Sequence, residues 1–532
     1  MRHSMFRAVI IPVVLALSTL PVDAQTLFMP GTPEVDQLAS LYQQAGRVFP
    51  VSSYPVSKAE LSLNADRLEQ TAPMDLCSAL QSYRTRVLRF DPSKDRISAS
   101  ASASFESYYR TQNVSMDPGR SASEQFLDLR RLFLDRAPLG SIQLDYARDE
   151  RLELAINATI QREYFLEPFS VTNLWESAAG NPFALENQDI MRGIAWYDFK
   201  PLQVELGRER VQMGPTEHSL LPSSLIPFLD ALRLRLPLGR LTGDLLVATL
   251  ENRAGLDDPI SSVTLLAVHR YEYAFDTVRL GISGQAIYSR ANNSFTLADI
   301  FPVFSWHNAS IVPNNMTLVA DASWVPLPGL FINGQAGVDD INVTGIGVAD
   351  SSVPTIPAFI LSAGYGLAVD GTIRIDLRAE FGSTHYLWGN FDDPNARAVY
   401  DYLLDGGPVY MPLTSPYGPG ATWVELSARL TGIKWLDATV NVRYLSRMTD
   451  GSGNSVSLLI PYQSSSTIEN APHVDTWSLG FKAAALPFGF LRISVEPTLY
   501  LQENYAAGTQ TFWAEVALSA GVFGESVSYI ER

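Results

Sequence analysis

Cysteine is almost absent from this 532-residue chain. Cys77 stands alone, so neither an intramolecular disulfide framework nor a cysteine-built metal cluster can form. Lysine is scarce too: Lys58, Lys94, Lys200, Lys434 and Lys482 are the whole set, and nearly all positive charge is arginine. Charged residues reach only 18%, below the roughly 25% of ordinary soluble proteins. Within that small share, 39 Lys+Arg face 56 Asp+Glu for a net charge of −17. This balance repels a phosphate backbone and excludes a nucleic-acid partner, and an anionic polymer would need a local basic site. Long apolar runs are missing, since nothing beyond the first segment approaches the roughly 18 consecutive apolar residues of a membrane helix. The motifs of catalysis are missing as well. His218, His269, His307, His385 and His473 do not pair at metal-ligand spacing, and no G-x-S-x-G elbow or H-E-x-x-H occurs. No enzyme activity, metal or cofactor is expected.

What is present begins with residues 1–24: basic Arg2, His3 and Arg7, an apolar stretch from Ala8 to Leu20, and Val22-Asp23-Ala24 before Gln25. This is the pattern of a cleaved secretory signal peptide. With 46% hydrophobic residues and no membrane helix, the exported chain is either a soluble secreted protein or a membrane β-barrel.

Residues 25–92 read as a small helical bundle or plug. Thr32-Pro33 fits an N-cap and first helical position, and Val35, Leu38, Leu41, Tyr42 and Ala45 recur at helical spacing until Gly46. Ser57-Lys58-Ala59-Glu60 has capping-box spacing ahead of Leu61, Ala65 and Leu68. A third helix is expected from about Pro73 to Leu88, with Leu76, Leu80, Val87 and Leu88 inward. Three short helices make a meagre core, so they are expected to rest on something larger.

From about Arg96 the period changes from 3.6 to 2, and residues 93–532 read as strands. Leu152, Leu154, Ile156, Ala158 and Ile160 alternate with Glu153, Ala155, Asn157, Thr159 and Gln161. Ile373 to Phe381 alternates with Arg374, Asp376, Arg378 and Glu380, and the segments from Leu436 and Leu491 behave alike. Short breaks such as Pro326-Leu327-Pro328-Gly329 and Pro487-Phe488-Gly489 alternate with long ones near 165–189, 289–314, 382–419 and 447–471. One trimmed rim and one elaborated rim is the habit of an outer-membrane barrel. At about 10 residues per strand plus turns and loops, the segment holds about 18 antiparallel strands. Tandem β-sandwiches would alternate also, but no repeat or linker divides the segment. The two architectures differ in where the apolar face points. In a barrel, Arg374, Asp376, Arg378 and Glu380 line the interior, most simply as ion-paired filling.

The longest loop carries Tyr386, Trp388, Phe391, Tyr400 and Tyr402 among Asp392 and Asp393. Aromatic faces stack on sugar C–H surfaces and carboxylates accept from hydroxyls, so this composition suits a glycan. Long barrel loops also fold inward and bury their aromatics, in which case the same rings form a lid. Trp306 in the preceding long loop is subject to the same two readings.

Two segments resemble the Wzi-like capsule-assembly family of outer-membrane proteins. One runs from Val35-Asp36-Gln37-Leu38 through Gly46-Arg47-Val48-Phe49-Pro50 to Ser53-Tyr54-Pro55-Val56-Ser57-Lys58-Ala59-Glu60-Leu61. The other is Leu206-Gly207-Arg208-Glu209-Arg210-Val211-Gln212-Met213-Gly214-Pro215 followed by Ser219-Leu220-Leu221-Pro222-Ser223-Ser224. Tyr54 stands where the family commonly has tryptophan, and the chain ends Ser528-Tyr529-Ile530-Glu531-Arg532 instead of in a terminal aromatic. The resemblance implies an 18-stranded outer-membrane barrel, blocked by loops and by a periplasmic helical plug. It implies a lectin-like, non-catalytic role in capsule assembly. Its partners would be a surface polysaccharide and the lipid and lipopolysaccharide of the outer membrane. The competing class is a diffusion porin or nutrient channel, whose lumen would be open.

Overall fold

A computed structural model of the chain describes residues 27–86, 94–111, 138–149, 151–161, 172–173, 187–223, 226–250, 262–291, 314–339, 355–370, 373–391, 396–404, 407–433, 435–450, 456, 466–505 and 507–531. The expected signal peptide lies outside them.

Alternation of side chains sets the architecture. Leu154 and Ile156 are 44% and 43% exposed, while Glu153, just before Leu154, is 0% exposed and Ala155 between them is 7% exposed. The apolar face therefore points outward and the polar face inward, the reverse of a soluble sandwich. Eighteen antiparallel strands close into one barrel with this polarity. In chain order they are β1 (Lys94–Arg110), β2 (Gly140–Arg148), β3 (Leu152–Gln161), β4 (Asn187–Asp198), β5 (Gln203–Glu209) and β6 (Leu229–Leu238). Next come β7 (Leu241–Leu250), β8 (Ser262–Ala274), β9 (Val278–Ala291), β10 (Asn314–Leu327), β11 (Leu330–Val338) and β12 (Pro357–Asp370). The last six are β13 (Ile373–Thr384), β14 (Ala421–Ile433), β15 (Leu436–Arg447), β16 (Val474–Phe488), β17 (Leu491–Asn504) and β18 (Thr509–Glu531). Each strand pairs with the next in sequence, and β18 closes on β1 with Glu515 opposite Arg110.

Hairpin turns of two to four residues join β2 to β3, β4 to β5 and so on to β16 and β17, all at one rim. The other rim carries eight connections of 11 to 36 residues and one of four. Rows of exposed Leu, Ile and Phe around the outside would aggregate in water and instead meet hydrocarbon. No described helix is long and apolar enough to cross a membrane. Aromatic girdles bound the apolar band. Tyr197 with Phe199, Tyr273 with Phe275, and Phe488 with Phe490 lie at the short-turn rim. Tyr444 with Trp477 and Phe359 with Phe381 lie toward the other. From Trp477 to Phe488 on β16, eleven steps of about 3.3 Å at a tilt near 40° rise about 28 Å, close to the roughly 25 Å of an outer-membrane band.

Three helices precede the barrel: α1 (Pro33–Gln44), α2 (Lys58–Glu69) and α3 (Met74–Arg86). Val35, Leu38, Leu41, Tyr42, Leu61, Ala65, Leu68, Leu80 and Tyr83 form their core. Local signals are used differently from expectation at three points. Thr32 does not cap α1; its hydroxyl donates to Met29 O at 2.8 Å. Ser57 does cap α2 by accepting from Glu60 N at 3.2 Å, but the Glu60 carboxylate leaves the capping box for a barrel arginine. In α3 the inward anchors are Leu80 and Tyr83, whereas Leu76 is half-buried; Val87 and Leu88 lie outside the described residues. The bundle caps part of the short-turn rim. Arg67 Nη1 donates to Gly239 O at 3.0 Å in the β6–β7 turn. Val48 N donates to Asp276 O at 3.0 Å in the β8–β9 turn, and Gly329 N in the β10–β11 turn donates to Gln43 O at 2.8 Å.

Candidate functional site: a three-part closure of the lumen

The first part is the extended segment that follows α1. A strand without a sheet leaves its carbonyls unpaired, a cost that must be met from elsewhere. Here the barrel wall supplies arginines. Arg279 on β9 donates to Phe49 O at 2.8 Å and Val51 O at 2.5 Å. Arg235 and Arg233 on β6 reach Ser53 O at 3.3 Å and Pro55 O at 2.9 Å. Arg270 on β8, 0% exposed, donates to Ser52 Oγ at 2.7 Å. Buried guanidiniums are tolerable only when charge and donors are both matched. Asp244 lies 2.6 Å from Arg233 and 2.9 Å from Arg235. Glu60 of α2 takes Arg235 in two bonds of 2.9 and 2.8 Å, and Asp321 lies 2.5 Å from Arg270. A second buried knot ties the wall to itself, with Arg192 on β4 at 2.5 Å from Glu209, 2.7 Å from Glu153 and 3.2 Å from Asp145. The planar five-donor fork explains why arginine, and so little lysine, serves here.

The second part is the inward connection between β5 and β6. Its Gln212–Met213 pairs antiparallel with Ser53–Tyr54 of the first part. Gly214 N donates to Ser52 O at 2.8 Å. Gly214 has φ +98, and a β-carbon there would run into the Gln335 side chain and stand 2.6 Å from Ser219 Oγ. Gln335 on β11 accepts from Thr216 Oγ1 at 2.6 Å and Leu220 N at 3.1 Å, and donates to Ser219 Oγ at 3.1 Å. Met213, Leu220 and Leu221 are fully buried against Leu246, Leu266, Val268, Ile287 and Val319. The polar-inward rule therefore weakens on the long-loop half of β7–β10, where inward Leu246, Ala248, Leu250, Leu266, Val268, Ile287 and Val319 form a true core beside buried Thr264, Gln285, Asn315 and Thr317.

The third part is the lid between β13 and β14, residues 385–420. It holds a hairpin, Val399–Leu404 with Gly407–Pro412. Trp388 is 1% exposed; its Nε1 donates to Thr414 Oγ1 at 3.0 Å. Its ring rests on Gly337, where a β-carbon would lie 2.6 Å from Cη2. Tyr386 is buried with its hydroxyl donating to Glu469 Oε1 at 3.3 Å. Tyr400 is buried edge-on to Phe228, 6.3 Å between centroids. These three rings were candidates for stacking on sugar; their placement makes them the lid's own core. Phe391 is half-buried, its carbonyl accepting from Arg397 Nε at 2.9 Å. Tyr402 belongs to the hairpin strand, and its side chain, like Asp392, Asp393 and Trp306, lies outside the described residues.

Second and third parts meet at His218. Its Nδ1 is 2.5 Å from Glu380 Oε1, and its Nε2 is 3.3 Å from the Tyr417 hydroxyl of the lid. Burial alone would push this imidazole down, but Glu380, with Glu425 and Glu217 around it, outweighs burial and holds it above its ordinary value. His385 behaves oppositely: burial lowers it, and its Nδ1 accepts from Leu387 N at 3.2 Å. The luminal residues expected on β13 do face inward. Arg374 bonds Asp376 and reaches Gln43 at 3.3 Å, and Arg378 bonds Glu217 at 3.0 Å. Beside the closure, the wall of β14–β17 stays open to water near the short-turn rim. Arg429 is 42% exposed, and Lys482, 56% exposed, pairs loosely with Glu496 at 3.4 Å.

Arg233, Arg235, Arg270 and Arg279 were not anticipated as functional. The available signal was Arg233-Leu234-Arg235 in a strand of period 2; Arg233, Arg235 and Arg279 target backbone carbonyls, which leave no trace in side-chain pattern, and Arg270 targets the Ser52 hydroxyl.

Comparison with known proteins follows the same lines. No family model matches the chain, and no curated protein matches it. Among solved structures, 93% of the chain superposes on 99% of Wzi, described as an outer membrane protein involved in group 1 capsule assembly in Escherichia coli and a carbohydrate-binding β-barrel. The TM-score is 0.57 at 12% identity. The fold is similar to that of Wzi. At that identity Wzi differs from the chain at most positions, so the likeness is one of fold. OprD from Pseudomonas aeruginosa aligns less well, with TM-score 0.42 at 11% identity over 82% of this chain and 94% of its own.

Proposed function

We propose that this protein resides in the bacterial outer membrane and that its lid binds and anchors a capsular or exopolysaccharide at the cell surface, with no catalytic step. The observation that carries this reading is the closed lumen: N-terminal segment, inward loop and lid are hydrogen-bonded end to end, an arrangement unsuited to diffusion. Its fold likeness to a carbohydrate-binding barrel supports the same reading, and the apolar band suits the lipid and lipopolysaccharide of that membrane. Buried Tyr386, Trp388 and Tyr400 hold the lid's shape, and the polymer engages Phe391, Asp392 and Asp393. Each contact is weak, and many along one polymer supply avidity.

The test is retention of purified capsular polysaccharide by the protein in detergent micelles. Wild type retains it, and the Phe391→Ala, Asp392→Asn, Asp393→Asn variant loses at least about tenfold, the equivalent of roughly 1.4 kcal/mol. Equal retention by both removes the lid from the binding surface. No retention by wild type, together with steady ion conduction, favours a diffusion channel.

A further inference from the structure

The His218 cluster is built for an imidazolium. Tyr417 donates its hydroxyl proton to Glu425 Oε2 at 3.4 Å, which leaves the phenolic oxygen as an acceptor for His218 Nε2–H. On the other side, Glu380 Oε1 already accepts from Trp423 Nε1 at 3.1 Å, and Glu380 Oε2 accepts from Glu217 N at 3.2 Å. A carboxylate with these donors has nothing to give, so Nδ1 must donate as well. With the phenol proton on Glu425, both ring nitrogens carry protons. Charge agrees with donor geometry. The groups facing His218 are Arg378 and Glu380 from β13, Glu425 from β14, Arg443 from β15 at 3.9 Å from Glu425, Tyr417 from the lid, and Glu217 from its own loop. Among the described residues of this cluster, three carboxylates face two guanidiniums, and His218 as a cation makes the sum zero. Arg429, which also acts on Glu217, has its own partners in Asp437 and Asp36.

We propose that His218 is a protonation latch: as an imidazolium it fastens the inward loop to β13 and the lid, and loss of one proton unfastens the lid from the column beneath it. Deprotonation removes one of the two N–H donors and leaves a surplus negative charge among Glu217, Glu380 and Glu425. The direction in pH follows. The folded-state value lies above the ordinary one near 6.5, so the latch is fully set below about 6.5 and is lost as pH rises through the higher folded value. The inference concerns closure and is independent of which ligand the lid meets.

Hydrogen exchange of backbone amides in residues 385–420 reads the latch, with the full chain in detergent and rates corrected for intrinsic pH dependence. In wild type, lid protection is expected to fall at least about tenfold between pH 6 and pH 10, the size of one hydrogen bond to a charged group. His218→Gln should show the unprotected lid already at pH 6, and His218→Arg, charged throughout, should keep protection flat across the range. Glu380→Gln, on β13, removes the acceptor charge and should resemble His218→Gln. Wild-type protection that stays flat from pH 6 to pH 10, or a His218→Gln lid as protected as wild type at pH 6, overturns the proposal.

Discussion

The closure inside the lumen is held at its two ends by opposite physics. At the short-turn end, Arg233, Arg235, Arg270 and Arg279 grip an extended backbone and are neutralised by Glu60, Asp244, Glu272 and Asp321. At the long-loop end, Leu246, Leu266, Val268, Ile287 and Val319 meet Met213, Leu220 and Trp388 in a dry core. A charged closure is directional and intolerant of a missing partner, whereas an apolar one is tolerant of detail but sensitive to volume. The difference suits a segment that must be held in one register below a lid that must keep a shape.

The comparison breaks hardest at the charged end. Arg270→Ala leaves Asp321 and Glu272 buried with one donor set gone, and is expected to cost about 3–5 kcal/mol. Denaturant titration followed by heat-modifiable gel mobility measures it, and a loss below about 1 kcal/mol would show the network to be dispensable. Trp388→Ala at the apolar end opens a cavity over Gly337, with an expected cost of about 3 kcal/mol confined to the lid. Faster exchange in residues 385–420, with strands β1–β4 unchanged, is the expected signature. The smallest effect belongs to the water-open wall, where the half-exposed Lys482 and Glu496 pair contributes little. Lys482→Ala should lower the unfolding free energy by less than about 1 kcal/mol, and by less still at high salt.

Much of the barrel was legible in sequence because outward positions must be apolar and inward ones polar wherever water or charge fills the lumen. That rule reads Leu152–Gln161 and Ile373–Phe381 correctly, and it brings Arg374, Asp376, Arg378 and Glu380 to the interior. It goes silent on β7 and β8, where Leu245 to Ala248 and Leu265 to Val268 are apolar on both faces because the lumen there is a core. The role of residues 210–228 was hidden for a different reason. The motif Gly214-Pro215 through Ser219-Leu220-Leu221 was visible, but its partners Ser52, Gln335 and Trp388 lie far away in sequence. The aromatic lid loop supported two readings, and only burial of Tyr386, Trp388 and Tyr400 separates packing rings from surface ones.

Single-channel recording of the full chain in planar bilayers at neutral pH tests the closed lumen most directly. The account predicts a nearly silent membrane, with no steady steps from a barrel of this strand number. Sustained conductance of the size of an open 18-stranded pore would contradict it.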